Sequence, residues 1–198
     1  MTSACQPHVC LASASPRRRD LLLSIGVDVD IHPCNVDETP QINESPSDYV
    51  VRLAVEKALV ADALTPLPTL GSDTAVVLDG KILGKPRNQA HGADMLTALS
   101  GRCHEVLTAV ALTGPAGLLK CCVKTRVCFD EISDEQIAAY WQTGEPLDKA
   151  GGYAAQGLAA VFVTAIEGSY SAVVGLPLYE TAKLLRQQGI PLWNNVLR

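Results

Sequence analysis

The chain has 198 residues, of which 47% are hydrophobic and 19% charged, with a formal net charge of −5. That length supports a large core and that apolar share excludes a disordered chain, while no apolar run reaches the length of a membrane span. The acidic balance excludes bulk attraction to nucleic acid or to an anionic membrane, so any polyphosphate must meet a local basic pocket.

No basic segment followed by a long apolar run marks a secretory signal. The seven cysteines, an odd number without a C-x-x-C pair, read as reduced thiols in the cytoplasm. The four histidines are scattered without ligand spacing, which argues against zinc.

Val9 to Ala12 is a short apolar run that predicts a strand. Ser15 is a favourable N-cap, Pro16 suits the first helical position, and Leu21, Leu22 and Ile25 supply an apolar face that Gly26 ends. Arg17, Arg18 and Arg19 crowd the first turn of this helix, where the macrodipole disfavours cations. A local rule broken in this way marks a candidate site. Free helix N–H groups, the Ser13 and Ser15 hydroxyls and the guanidinium groups together suit a phosphate; the competing reading is a solvated basic turn with its arginines paired elsewhere.

Val27 to Ile31 alternates as a half-buried strand. Residues 33–46 form a long polar loop carrying Asp37 and Glu38, and loops of this length are often functional. Ser45-Pro46 repeats the cap-and-proline device and opens a helix to about Leu64, with an apolar stripe of Val50, Leu53, Ala54, Ala61 and Leu64. Lys57 falls on that stripe, whereas Arg52 and Glu56 are placed to pair at i, i+4. Lys57 either snorkels to the surface or faces a buried anion.

Leu70 to Leu78 reads as a strand that turns at Asp79-Gly80 into Lys81 to Leu83. Asp73 lies inside this apolar strand, where a buried carboxylate needs a partner, and Lys85 follows the returning strand. A helix over 88–99, strands over 103–113 and 118–130, and a helix opened by a Ser133/Gln136 capping box come next. The glycine-rich segment Glu145 to Gly157 matches neither the Walker A nor the dinucleotide spacing. Asp148 and Lys149 read as a pair bracing that loop, Cys121 and Cys122 as strand packing, Glu167-Gly168 as a hairpin turn, and Gly175-Leu176-Pro177 as the start of a last helix to about Gln188.

Two carboxylates, Glu38 and Asp73, are the usual protein contribution to a Mg²⁺ held against a polyphosphate. With the cationic groups of Ser13–Arg18, Lys57 and Lys85, they compose a set suited to metal-assisted hydrolysis of a phosphoanhydride.

The segment Ser13-Ala14-Ser15-Pro16-Arg17-Arg18 resembles the S-x-S-P-R-R opening of the Maf (septum-formation inhibitor) family of nucleoside triphosphate pyrophosphatases. Asp37-Glu38, Glu56-Lys57-Ala58, Gly71-Ser72-Asp73-Thr74, Gly84-Lys85-Pro86, Gly144 to Gly151 and Val174-Gly175-Leu176-Pro177 follow in the family's order, so the resemblance spans nearly the whole chain. It implies one domain over residues 1–198 with a two-lobed α/β fold similar to inosine triphosphate pyrophosphatases: a mixed, elongated sheet flanked by helices, with a central cleft. It also implies hydrolysis of a nucleoside triphosphate to the monophosphate and pyrophosphate with a divalent cation, Mg²⁺ or Mn²⁺, in a cytoplasmic protein that forms a homodimer in common with such folds.

By resemblance, Asp73 is the proton acceptor and, with Glu38, a metal ligand. Lys57 and Lys85 neutralise the phosphates, and Ser13, Ser15, Arg17 and Arg18 cradle them. Thr74 and Gln156, together with Arg17, match the branch acting on dTTP and UTP. Ser72 departs from the alanine commoner in this motif. The competing functions are a nucleotide-binding regulator of division without turnover and a purine-directed house-cleaning pyrophosphatase.

Overall fold

A computed structural model describes residues 8–193. Cys5 therefore lies outside the described residues. In chain order the elements are β1 (His8–Leu11), α1 (Pro16–Ser24), β2 (Asp28–Ile31), α2 (Pro46–Asp62), β3 (Thr69–Leu78), β4 (Lys81–Leu83), α3 (Gln89–Leu99), β5 (Cys103–Leu112), β6 (Leu119–Phe129), α4 (Asp134–Gln142), β7 (Val163–Glu167), α5 (Tyr170–Val174) and α6 (Leu178–Gln187). The strands pair in the order β2-β1-β3-β5-β6-β7, with β4 on β3. Parallel β1–β2 and β1–β3 pairs and antiparallel β3–β4 and β6–β7 pairs make the sheet mixed.

The chain divides into two compact units, the first made of residues 1–73, 108–122 and 175–198, the second of 74–107 and 123–174. The first has its own core of Val9, Leu11, Leu22, Val27, Leu70, Val110, Leu112, Leu176 and Leu185, all fully buried. Here α1 and α2 are the crossovers that parallel strands require. The Ser13–Arg18 turn follows the carboxyl end of β1 and residues 33–45 follow that of β2, the end at which open α/β sheets bind ligands.

The caps behave as their sequences predict. Ser15 accepts from the Arg18 N–H, Ser45 from the Asp48 N–H, and Ser133 and Gln136 complete a reciprocal capping box. The apolar face of α2 buries Val50, Leu53, Ala54, Ala58 and Ala61. It meets β3 at Gly71, where a Cβ would run into the Ala54 carbonyl oxygen and the Ala58 amide nitrogen. Helix and strand touch there backbone to backbone.

The second unit centres on Val76, Leu96, Leu99, Val106, Val127, Phe129, Tyr140, Tyr153 and Phe162. Gly92 of α3 lies under the Trp141 ring of α4. Buried His104 shares a 2.6 Å hydrogen bond with the Tyr153 hydroxyl, and burial pushes its pKa down to about 4, so it is a neutral core histidine.

Three expectations are corrected. Leu64 is 69% exposed because α2 ends at Asp62. Glu167-Gly168 ends β7 and leads into the short helix α5, with no returning strand. Cys103 and Cys128, on the neighbouring strands β5 and β6, are joined by a disulfide with Cα atoms 3.9 Å apart. The reduced state holds for Cys10, Cys34, Cys121 and Cys122 among the described residues.

Candidate active site

Asp73 and Lys57 are charged residues buried within the first unit, at 9% and 8% exposure. Lys57 projects from the inner face of α2 because its position shares the helical period of Val50, Leu53 and Ala61. Its Nζ donates to Asp73 Oδ1 at 2.7 Å and to Glu38 Oε1 at 2.7 Å. The lysine does not snorkel; it bridges the two carboxylates. Burial raises the Asp73 pKa and the Glu38 charge adds to the rise; Lys57 and Arg18 oppose it without cancelling it. A carboxylate with a raised pKa is a better proton acceptor than an ordinary one.

Glu38 reaches Lys57 because its loop is pinned to α2. The Tyr49 hydroxyl donates to the Glu38 carbonyl at 3.0 Å, and Arg52 Nη2 donates to the Thr39 carbonyl at 3.1 Å. Arg52 is itself fixed by a two-armed ion pair with Glu44, Nε to Oε1 at 2.6 Å and Nη2 to Oε2 at 2.9 Å. That pair drops the Glu44 pKa to about 2. The helical pair Arg52–Glu56 is present at 3.4 Å but is the looser contact. Asp37, adjacent to Glu38, instead accepts from the Thr39 N–H at 2.9 Å in a turn of its own.

The S-x-S-P-R-R turn is braced internally. Ser13 Oγ accepts from the Ser15 N–H at 3.2 Å and from Arg18 Nη1 at 3.1 Å, while Arg18 Nε donates to the Gly175 carbonyl at 2.9 Å. Ser72 Oγ donates to the same carbonyl at 3.2 Å. Burial lowers the Arg18 pKa against the pull of Asp73, and Arg17 adds to the lowering. Arg19 pairs with its neighbour Asp20 at 2.9 Å and is exposed. The first turn of α1 holds no acidic residue. Ser13, Ser15, Arg18, Glu38, Lys57 and Asp73 thus belong to one connected set, with Arg17, half-buried, on the same turn.

Lys85, Thr74 and Gln156 belong to the second unit. Lys85 is exposed after β4, Thr74 is half-buried next to Asp73 on β3, and Gln156 is exposed in the glycine-rich loop. The Gly151 N–H donates to the Gly84 carbonyl at 3.0 Å, tying the start of that loop to the residue before Lys85. Lys149 is ion-paired with Asp148, as its adjacency suggests.

Tyr49, Arg52, Glu44 and Gly175 escaped the sequence reading as site supports. Arg52 carried only its local i, i+4 signal, and nothing in the sequence links Gly175 to Ser72 or Arg18. Glu38 and Asp73 are the candidate metal donors. Among the described residues no group of three or more His, Cys, Asp or Glu side chains forms a complete cage. A pair of carboxylates suits Mg²⁺ or Mn²⁺ whose remaining ligands are phosphate oxygens and water.

The fold and this arrangement describe a mixed α/β protein in which a buried lysine bridges the buried Asp73 and the exposed Glu38 beside a basic helix N-terminus. The chain belongs to the Maf family: the model described as "Maf-like protein" matches residues 8–188. It is 51% identical over 191 residues to the dTTP/UTP pyrophosphatase of Saccharophagus degradans, covering 94% of this chain and 91% of that one. It is 53% identical over 180 residues to the dTTP/UTP pyrophosphatase of Pseudoalteromonas translucida, covering 90% and 95%. Among solved structures, the Ham1 protein of Staphylococcus aureus is similar at a TM-score of 0.45 and 16% identity, over 64% of this chain and 72% of that one.

Proposed function

We propose that this chain hydrolyses dTTP and UTP between the α- and β-phosphates, giving the nucleoside monophosphate and pyrophosphate. The observation that carries the reading is the Lys57 bridge between Glu38 and Asp73, in a chain whose relatives named dTTP/UTP pyrophosphatase share about half its residues over nine-tenths of its length. A protein that only bound nucleotide would not need Asp73 and Glu38 together.

In this reading Asp73 takes the proton of an attacking water as its oxygen bonds to phosphorus, and the bond to the bridging oxygen breaks to release pyrophosphate. Lys57 orients Asp73 and offsets charge developing on the phosphates, a charge that Lys85 also neutralises. Ser13, Ser15, Arg17 and Arg18 receive the polyphosphate at the α1 N-terminus, where N–H groups and dipole favour anions. Glu38 and Asp73 would hold the divalent cation, which supplies neutralisation of phosphate charge when bound. Positioning and electrostatics then carry most of the rate enhancement. Thr74, Arg17 and Gln156 select the pyrimidine, the Gln156 amide offering one donor side and one acceptor side to the base edge. The site of action is the cytoplasm, where nucleoside triphosphates are available; among the described residues no helix is long and apolar enough to cross a membrane.

The test is pyrophosphate release from dTTP, UTP, inosine triphosphate and 7-methyl-GTP at equal concentration with Mg²⁺ or Mn²⁺. Preference for the two pyrimidine nucleotides is the expected result. Preference for a purine nucleotide would overturn the substrate assignment, and no turnover with any of the four would leave a nucleotide-binding regulator as the better reading.

A further inference from the structure

The loop that presents Gln156 is gripped on both sides by one tyrosine–glutamate pair, and we propose that Tyr140 and Glu145 are positioning residues for nucleobase selection. The inference rests on the reading of Gln156 as a base-selecting residue, and every group in it lies within the second unit.

Tyr140, on the inner face of α4, is 4% exposed and stands edge-on to Phe162 with ring centres 5.7 Å apart. Its hydroxyl donates to Glu145 Oε1 at 2.8 Å and accepts from the Ala154 N–H at 3.2 Å. Glu145 Oε2 accepts from the Leu158 N–H at 3.0 Å, and Oε1 accepts from the Ala159 N–H at 3.3 Å. The amide two residues before Gln156 and those two and three residues after it are therefore held by a single network. Ala154, Ala155 and Ala159 are buried while Gln156, Gly157 and Leu158 are exposed, so the network fixes the two feet of a short projecting tip.

Gly157 completes the arrangement. A Cβ at this position would land on the Glu145 carboxylate, so the loop backbone closes directly over it. Glu145 follows Gly144, which ends α4 in the left-handed conformation at φ 75°. Its carboxylate is turned to residues 158 and 159. A carboxylate accepts at both oxygens and donates nothing, which matches the three donors aimed at it. Burial pushes its pKa up, but the Leu158 N–H, the Tyr140 hydroxyl, the Ala159 N–H and Lys149 together hold it below the ordinary range. Selecting a base through one amide requires that amide to be held in place, since misplacement of about 1 Å costs on the order of a hundredfold.

The experiment compares the full-length wild type with E145Q and Y140F, measuring kcat and KM for UTP and for inosine triphosphate together with thermal melting. E145Q keeps the shape but turns one acceptor into a donor. We expect kcat/KM for UTP to fall about tenfold, mainly through KM, with inosine triphosphate nearly unaffected, so that the preference narrows by about the same factor. Y140F keeps its ring in the core and shifts the preference in the same direction by less. An unchanged preference in both variants, or equal losses with both nucleotides alongside a lowered melting temperature, would overturn the inference and leave a purely structural clamp. A wild type without UTP turnover would instead overturn the functional reading on which the inference depends.

Discussion

Lys57 Nζ lies 2.7 Å from Asp73 Oδ1, and both side chains are nearly excluded from solvent. The pair holds the candidate proton acceptor in one orientation, yet burial still raises the Asp73 pKa. Asp73→Asn is therefore expected to lower turnover by about a hundredfold or more without lowering the melting temperature at neutral pH. The sign follows from linkage: a carboxyl with a raised folded-state pKa stabilises the fold when protonated, and that contribution is lost as pH rises through the raised value. The neutral amide removes the cost of the charge. Pyrophosphate release and calorimetry on the same preparation check both halves.

The same pKa direction sets the acid limb of the pH–rate profile. In kcat/KM that limb should lie above the ordinary Asp value of 3.8, since the free enzyme must lose the Asp73 proton before it can accept another. A limb at or below that value would remove Asp73 as the acceptor.

Lys57→Met leaves Asp73 buried opposite Glu38 with no cation between them. Removing one member of a buried pair costs about 3 kcal/mol, so the variant should unfold at distinctly lower denaturant at pH 8. Without Lys57 the Asp73 pKa rises further, and protonation then relieves the site. The deficit should shrink as pH falls from 8 to 5, which urea unfolding at both pH values measures. A pH-independent deficit would place the loss in packing.

Arg52→Lys tests the support of Glu38. A lysine cannot reproduce the two-armed contact with Glu44 while also reaching the Thr39 carbonyl. The expected outcome is a kcat about tenfold lower with little change in KM, because the loop carries a candidate catalytic carboxylate. Steady-state kinetics separates this from a loss of binding.

Arg18→Ala should raise KM for the triphosphate and also lower stability by about 1–3 kcal/mol, since Gly175 O and Ser13 Oγ lose a charged donor. A change in KM alone would mean that Arg18 serves the ligand and braces nothing.

Local chemistry was the legible part of this chain. The Ser15, Ser45 and Ser133 caps, the inward period of Lys57 and the absence of acids from the first turn of α1 each depend on residues within a few positions of one another. The resemblance of Ser13–Arg18 and the later motifs to the Maf family supplied the order of the rest. What stayed illegible is long-range: that Lys57 meets both Glu38 and Asp73, that Arg52 prefers Glu44 to Glu56, and that Ser72 and Arg18 converge on Gly175. Cys103 and Cys128 are likewise joined by strand pairing, which composition does not report. Leu64 was misplaced for a simpler reason: the apolar period runs on to a residue two positions past Asp62, where the helix ends.

The contact of Gly71 with Ala54 and Ala58 acts as a ruler. Asp73 lies two residues along β3 from that glycine, and Lys57 stands between the two helix residues it touches. The gap that the ammonium spans is thus measured off by main chain against main chain, not by side chains free to change rotamer. Such a spacing survives repacking of the surrounding core, and a single added methyl at position 71 would lengthen it. The reach between base and cation is written into the absence of one carbon atom.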